Sequence, residues 1–200
     1  MQQLPQNKVP KIGSEGETYR QLQLAHQLPK QDLSLKYCSH IAPKDKSSYQ
    51  DFICARNDIA LDIGHIITYH QPPPPAMKSA CRKCKKALAD QSLVVVAPRF
   101  GVKTYWHPGC FTCTTCDELL VSFEFNIFVL PLHISIMTFT QNYSEMIFHF
   151  DFKQVDLTYC VHDESLYCGR HYAENLKPRC GACDELIFAG QYTKVRRKNI

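Results

Sequence analysis

The feature that most constrains this chain is an unbroken series of four metal-binding residue types at two-residue intervals. The series is His107, Cys110, Cys113 and Cys116, preceded by a C-x2-C pair and followed by a C-x2-H pair. Together these residues provide eight potential ligands, enough for two four-coordinate zinc ions. The middle series places the second half of one site directly against the first half of the next, and it therefore predicts two zinc modules fused in tandem.

The spacing assigns the eight ligands to two sequential sites, because a tight C-x2-C turn points both sulfurs at one ion. The first predicted site consists of Cys81, Cys84, His107 and Cys110. The second predicted site consists of Cys113, Cys116, Cys168 and His171. Each set has four protein ligands and leaves no coordination position for water. Such closed sites are typical of structural zinc, whose binding supplies folding free energy directly.

Other interpretations of the cysteines fit less well. A ferredoxin cluster would continue as C-x3-C-P after the third cysteine, but Cys116 is followed by DELL. RING-type sites interleave their ligand pairs and vary the central spacing, unlike this uniform series. Disulfides are disfavoured because the 11 cysteines are odd in number and the N-terminus lacks the apolar core of a signal peptide. The pattern favours a cytosolic or nuclear protein with metal-bound thiolates.

Net charge and cysteine chemistry also limit the functional classes to which this protein can belong. A net charge of +4 is only mildly basic, and no basic helix is evident that would face a nucleic-acid groove. Zinc-dependent nucleic-acid binding therefore remains a distant alternative. A redox enzyme would need an exposed thiolate of low pKa, whereas zinc would occupy these thiolates. The sequence predicts no catalytic residues and no enzyme.

The first 70 residues predict a small and mostly helical unit. Ser14 and Glu17 form a capping box before a helical repeat of leucine and alanine, which Pro29 ends. A second helix is predicted to begin at Pro43, since proline suits the first helical position. The apolar face of that helix would be Tyr49, Phe52 and Ile53. The remaining cysteines of this unit, Cys38 and Cys54, are expected to be small buried residues.

Two further segments interrupt the domain pattern. A proline-rich linker is predicted at 71–80, where the sequence QPPPPA favours an extended spacer. The apolar segment 122–154 contains Glu124, Asn126 and Pro131, and it is therefore not expected to span a membrane.

The ligand spacing exposes an insertion within the second zinc module. Cys116 and Cys168 are separated by 51 residues, and removing 121–154, which is 34 residues, leaves 17. The corresponding loop of the first module, between Cys84 and His107, has 22 residues. Val121 and Ser122 can be encoded GTA AGT and Gln154 can be encoded CAG, the typical ends of an intron. We interpret 121–154 as a retained intron in the gene model; the alternative is a genuine lineage-specific loop.

At these motifs the sequence resembles the testin/prickle family. The eight ligands, in type and order, are similar to a LIM domain, and GSEGETYRQLQLAHQLPKQD is similar to the PET domain that precedes the LIM repeats in that family. YWHPGCFTCTTCDELLV and LYCGRHYAENLKPRCGACDELIF carry the same resemblance. QLAHQLP is closer to the testin branch. In LIM domains, aromatics at the positions of Trp106 and Phe111 pack the two modules together.

The resemblance implies a small α+β zinc-binding protein with four parts. These are a partial PET-like domain at 1–70, the linker at 71–80, a LIM domain at 81–174 interrupted at 121–154, and the truncated start of a second LIM domain at 178–200. The second LIM domain would have only Cys180 and Cys183, so weak zinc binding or none is expected there.

The resemblance also implies a function. LIM domains act as protein-interaction modules, so we expect a zinc-dependent adaptor with two zinc ions in the first LIM domain. Testin-like proteins associate with actin-linked adhesion components in the cytoplasm, and the alternative is a prickle-like role in planar cell polarity at membranes and in nuclei. The sequence gives no indication of a small-molecule substrate.

Overall fold

The computed structural model describes residues 6–9, 11–71, 79–101, 103–120, 157–190 and 192–193. The first helix, α1, spans Glu15–Gln27. It begins where the capping box predicts, because the Ser14 side chain accepts a hydrogen bond of 3.3 Å from the amide of Glu17. The Glu17 carboxylate accepts from the Gly13 amide at 2.6 Å, one residue earlier than in a standard capping box. Helix α1 ends two residues before Pro29, as expected.

Helical structure begins at Pro43 as predicted, but as a 3₁₀ turn at Pro43–Asp45, and the α-helix itself begins three residues later. Helix α2 spans Lys46–Ala55 and continues into one π-helical turn at Arg56–Ala60. On its apolar face Tyr49 is buried, whereas Phe52 and Ile53 are half-buried. The expectation for the free cysteines is wrong in part: Cys54 is exposed and Cys38 is only partly buried, because this thin helical unit has little interior.

One five-stranded sheet joins the N-terminal region to the metal-binding region. Its strands are β1 (Leu61–Thr68), β2 (Leu93–Val96), β3 (Tyr105–Trp106), β4 (Leu157–His162) and β5 (Ser165–Tyr167). The strand order is β3-β2-β1-β4-β5, and all neighbours are antiparallel.

Strand β1 is the centre of the sheet, although it belongs to the segment predicted as mostly helical. Its second half pairs with β2, where His65 lies opposite Val96. Its first half pairs with β4, where Gly64 lies opposite Leu157. The two halves therefore use different partners, and β1 connects the β2–β3 hairpin to the β4–β5 hairpin. The helical prediction for 1–70 has to be corrected at its C-terminal end.

The larger of the two hydrophobic clusters among the described residues takes buried side chains from both hairpins, and β1 runs between them. Trp106 and Phe111 are buried and meet edge to face at 5.5 Å between ring centroids, as the resemblance to LIM domains implied. Phe111 meets the buried Tyr159 of β4 in the same way at 5.6 Å. A Cβ atom at Gly64 would lie 3.3 Å from the Phe111 ring. Glycine therefore allows β1 to pass directly over the central aromatic residue.

Several predictions lie outside the described residues. The insertion at 121–154 is one of them, as are most of the linker at 71–80 and residues 194–200 of the last predicted segment. Cys160, which belongs to neither predicted zinc site, is a buried residue of β4. Within the described ranges, no helix is long and apolar enough to cross a membrane.

Candidate metal centre

Each predicted zinc site begins with a knuckle, a tight turn that carries a C-x2-C pair. In the first knuckle the amide of Cys81 donates to the carbonyl of Lys86, and the amide of Lys85 donates to the carbonyl of Cys81, both at 2.9 Å. Lys85 has φ of 60°, a left-handed conformation that lets the chain turn back after the second cysteine. The second knuckle has the same two bonds at 2.9 Å between Cys113, Glu118 and Asp117. These turns orient the sulfurs without help from distant residues.

The second half of each site comes from a helical turn. His107 immediately precedes the 3₁₀ turn Pro108–Cys110, and the amide of Cys110 donates to the carbonyl of His107 at 2.8 Å. Cys168 is the N-cap of α3, which spans Gly169–Leu176 and carries His171 in its first turn. Residues three apart on a helical turn share a face, so both spacings bring two ligands to one side.

The structure brings together all eight predicted ligands in the two predicted sets. Within each set, the sulfur and imidazole donor atoms all lie within 4.8 Å of one another. The sets are Cys81, Cys84, His107 and Cys110, and Cys113, Cys116, Cys168 and His171. Apart from Cys84, Cys116 and the two histidines, which are half-buried, these residues are buried.

The donor geometry fits zinc. The Nδ1 atom of His107 lies 3.4 Å from the Cys84 sulfur, and the Nδ1 atom of His171 lies 3.1 Å from the Cys168 sulfur. Tetrahedral zinc with ordinary bond lengths separates a sulfur and a nitrogen ligand by about 3.5 Å. Three thiolates and one imidazole form a closed donor set for this ion, and such a set imparts stability when zinc is bound.

The electrostatics of the second cluster favour thiolates. A hydrogen bond from Cys168 and the backbone amides of Cys116, Cys168 and Thr115 together lower the pKa of Cys113. The same sulfur–sulfur contact and burial raise the pKa of Cys168. One thiolate is thus already favoured, and a metal ion would replace the proton that these two sulfurs share.

In the first cluster, too, the pKa of one cysteine is lowered and that of another is raised. Burial is the largest effect on Cys81 and acts to raise its pKa, but hydrogen bonds from the amides of Cys84, His107 and Lys83 outweigh it and lower the pKa. Burial and the nearby Cys81 sulfur raise the pKa of Cys110. Each site is therefore prepared to exchange thiol protons for a cation.

Helix α1 of the N-terminal region packs directly on the second cluster. The buried side-chain amides of Gln23 and Gln27 donate to the carbonyl of Leu119 at 2.8 and 3.0 Å. The Gln27 amide also lies 3.9 Å from the Cys116 sulfur. The rings of His26 and His171 meet at 5.8 Å. Sequence reasoning missed these contacts, because two glutamines on a helix give no signal for a partner about ninety residues away.

Comparisons with known proteins agree with this architecture. The family model for the PET domain matches residues 1–67, and the model for the LIM domain matches residues 81–128. Protein espinas of Drosophila pseudoobscura pseudoobscura is 36% identical over 193 residues, which cover 96% of this chain and 19% of that protein. Human prickle planar cell polarity protein 3 is 34% identical over 98% of this chain and 26% of its own length.

Testin from Microcebus murinus is 32% identical over all of this chain and 46% of its own length. The chain thus spans less than half of each of these three relatives. No solved structure matches.

Fold, metal clusters and comparisons together define a PET–LIM protein, with a LIM domain whose cysteine and histidine clusters imply zinc binding. The chain is a member of the testin/prickle family, whose proteins generally act as protein-interaction adaptors. Prickle-type and testin relatives match at similar identities, so the comparisons do not favour the testin branch expected from QLAHQLP.

Proposed function

We propose that this chain is a zinc-stabilised adaptor in which the PET region and the first LIM domain act as one rigid binding unit. The observation that carries this proposal is β1, which joins the PET region to both zinc modules in one sheet. Two zinc ions, one in each closed cluster, would hold the hairpins that β1 connects. Since each cluster provides four protein ligands, no coordination position remains for a substrate, and this supports a binding role over an enzymatic one.

The partners in this proposal are proteins of the actin cytoskeleton and of cell adhesions, as the sequence resemblance to testin implies. The chain would then be cytoplasmic and concentrated at adhesion sites or cell junctions. A prickle-like role in planar cell polarity is the second candidate, which the similarity to human prickle planar cell polarity protein 3 supports. Nucleic-acid binding remains the distant alternative, which strongly salt-dependent DNA retention by the metal-loaded protein would favour.

The test follows a fluorescently tagged chain in an adherent epithelial layer. We expect enrichment at actin-rich adhesions, and we expect Cys81→Ser combined with Cys113→Ser to abolish it, because each zinc module loses one ligand. Cys54→Ser is the matched control, since Cys54 is exposed and lies in neither cluster. Enrichment along one side of cell–cell junctions would support the prickle-like role instead. Unchanged localisation of the double variant would contradict a zinc-dependent adaptor.

A further inference from the structure

A third knuckle, residues 180–185, follows the LIM domain and has the same backbone turn as the first two. The amide of Cys180 donates to the carbonyl of Glu185 at 2.8 Å, and the amide of Asp184 donates to the carbonyl of Cys180 at 3.0 Å. The second and third knuckles share the sequence C-x2-C-D-E-L, whereas the first reads C-x2-C-K-K-A. The second and third knuckles therefore present the same acidic pair after their second cysteine.

The PET region holds the second knuckle beside its acidic pair. The buried side-chain amides of Gln23 and Gln27 on α1 donate to the carbonyl of Leu119, the residue that follows the pair. The ammonium group of Lys8 lies 3.6 Å from the Glu118 carboxylate. These contacts attach the start of the PET region to the second zinc module of the LIM domain.

The PET region also holds the third knuckle, through different residues. The side-chain amide of Gln31 donates to the carboxylate and to the carbonyl of Asp184 at 3.0 and 3.1 Å. The backbone amides of Ser39 and His40 donate to the Glu185 carboxylate at 2.5 and 3.0 Å, and Glu185 is buried. Both members of the acidic pair in the third knuckle are therefore bound by the PET region.

Arg179, the residue before the third knuckle, joins three parts of the molecule. Its two terminal nitrogens donate to the buried Asp32 carboxylate of the PET region at 3.0 and 2.6 Å. Its Nε atom donates to the carboxylate of Glu174 on α3 at 2.7 Å. A bidentate, charge-assisted pair fixes the geometry of both partners, and loss of the Asp32 charge would leave a buried guanidinium without compensation.

The direct connection between the LIM domain and the third knuckle is weaker. Helix α3 ends at Leu176, and residues 177–179 lead from it to the knuckle. Arg170 of α3 pairs with Asp184 at 2.5 Å, but the Asp184 side chain is 44% exposed, and exposed pairs contribute little. The PET region, by contrast, supplies a buried carboxylate in Asp32.

An apolar contact completes the interface between the PET region and the third knuckle. The Phe188 ring, just beyond the knuckle, meets the rings of Tyr49 and Phe52 on α2 edge to face, at 5.6 and 5.8 Å between centroids. Polar and aromatic contacts thus lie side by side on one face of the PET region.

We propose that the PET region is a brace between two LIM domains: it binds the second and third knuckles at once. The brace fixes the direction in which the second LIM domain, whose expected start contains the third knuckle, leaves the first. An adaptor with domains held at a fixed angle loses less conformational freedom when one partner contacts both. The proposal extends the rigid unit of the proposed function, and backbone motion in the purified protein tests it separately from localisation.

The experiment measures backbone order by NMR relaxation in the zinc-loaded 200-residue protein. In the wild type, the amides of residues 180–188 should have order parameters of about 0.85, which is typical of rigid backbone. Gln31→Ala combined with Asp32→Asn removes the side-chain contacts and should lower these values below about 0.6. The matched control is Gln21→Ala combined with Asp58→Asn, which makes the same substitutions at exposed positions of the PET region.

Order in α1 reports whether the variants remain folded. The order parameters of residues 15–27 should stay at about 0.85 in every variant. Gln31→Ala alone removes no buried charge, because Gln31 is uncharged and half-buried, and it should lower the order of the third knuckle by a smaller amount. A mobile third knuckle in the wild type, or a third knuckle equally rigid in the double variant, would overturn the proposal.

Discussion

The two clusters of the LIM domain have the same donors and the same local turns, but they depend on the rest of the chain in different ways. The first takes its ligands from one short stretch, residues 81–110. That stretch meets the N-terminal region through strand pairing, aromatic contacts and hydrogen bonds from Arg99 to backbone carbonyls at and just before the start of β1, but in the described part of the chain no helix of that region packs on its ligands. The second takes its ligands from two stretches separated by 51 residues, and α1 packs against it. The contrast suggests that the PET region supplies part of the second module's interior.

Ligand removal gives the largest expected effect and tests this contrast directly. Cys81→Ser and Cys113→Ser should each lose about one zinc ion and unfold the module concerned, because structural zinc contributes about 10–16 kcal/mol. Only Cys113→Ser should also reduce the protection of α1 amides from hydrogen exchange. Metal analysis and exchange measured by mass spectrometry check both points. Equal loss of α1 protection in the two variants would show that the modules fold as one unit.

A substitution in β1, the strand that both modules share, should affect the two modules alike. Gly64→Val places carbon atoms against the Phe111 ring, which lies between the two modules. Overpacking of this kind costs about 1–3 kcal/mol. We therefore expect a lower unfolding temperature for both modules together, measured by thermal denaturation with zinc present. If zinc release from one module shifts and that from the other stays unchanged, β1 does not couple them.

Loss of the α1 contact should affect the second module alone. Gln27→Ala removes the buried amide that donates to Leu119 and lies beside Cys116, which should cost about 1–3 kcal/mol. The measured consequence is faster transfer of one zinc ion to a chromophoric chelator, with the other ion unaffected. Gln21→Ala is the control, because it makes the same substitution on the exposed face of α1. Similar release rates in both variants would refute a supporting role for α1.

The smallest effect concerns the ion pair between the two knuckles. Lys83 donates to Asp117, and this hydrogen bond lowers the pKa of the Asp117 carboxyl below its ordinary value of 3.8. The pair therefore stabilises the fold above about pH 3.8 and loses its effect as the pH falls through the lowered pKa. Lys83→Ala should raise the Asp117 pKa towards 3.8, as followed by NMR titration, yet cost less than about 1 kcal/mol, since both side chains are exposed. Lys103→Ala, also exposed, should do neither.

Local features of this protein were predictable because they depend on neighbours in the chain. The start of α1 follows from Ser14 and Glu17, and that of the 3₁₀ turn leading into α2 follows from Pro43. The grouping of the eight predicted metal ligands follows from two-residue spacing, which places both members of a pair on one turn.

Strand β1 shows where prediction from neighbouring residues in the chain fails. LDIGHIIT has no clear alternation of buried and exposed residues, because each half of the strand has its own partner. The β-branched Ile63, Ile66 and Ile67 favour a strand, a local signal that the helical expectation for 1–70 overlooked. The two separate pairings of that strand become visible only when both hairpins are in place.

The sequence by itself determined which side chains meet around each metal cluster, since ligand type and spacing act over a single turn of backbone. Only the tertiary structure decided that β1 unites both modules and that α1 packs against the second. Those contacts join residues that are far apart in the chain. They depend on how complete surfaces fit together, and no spacing rule encodes that fit.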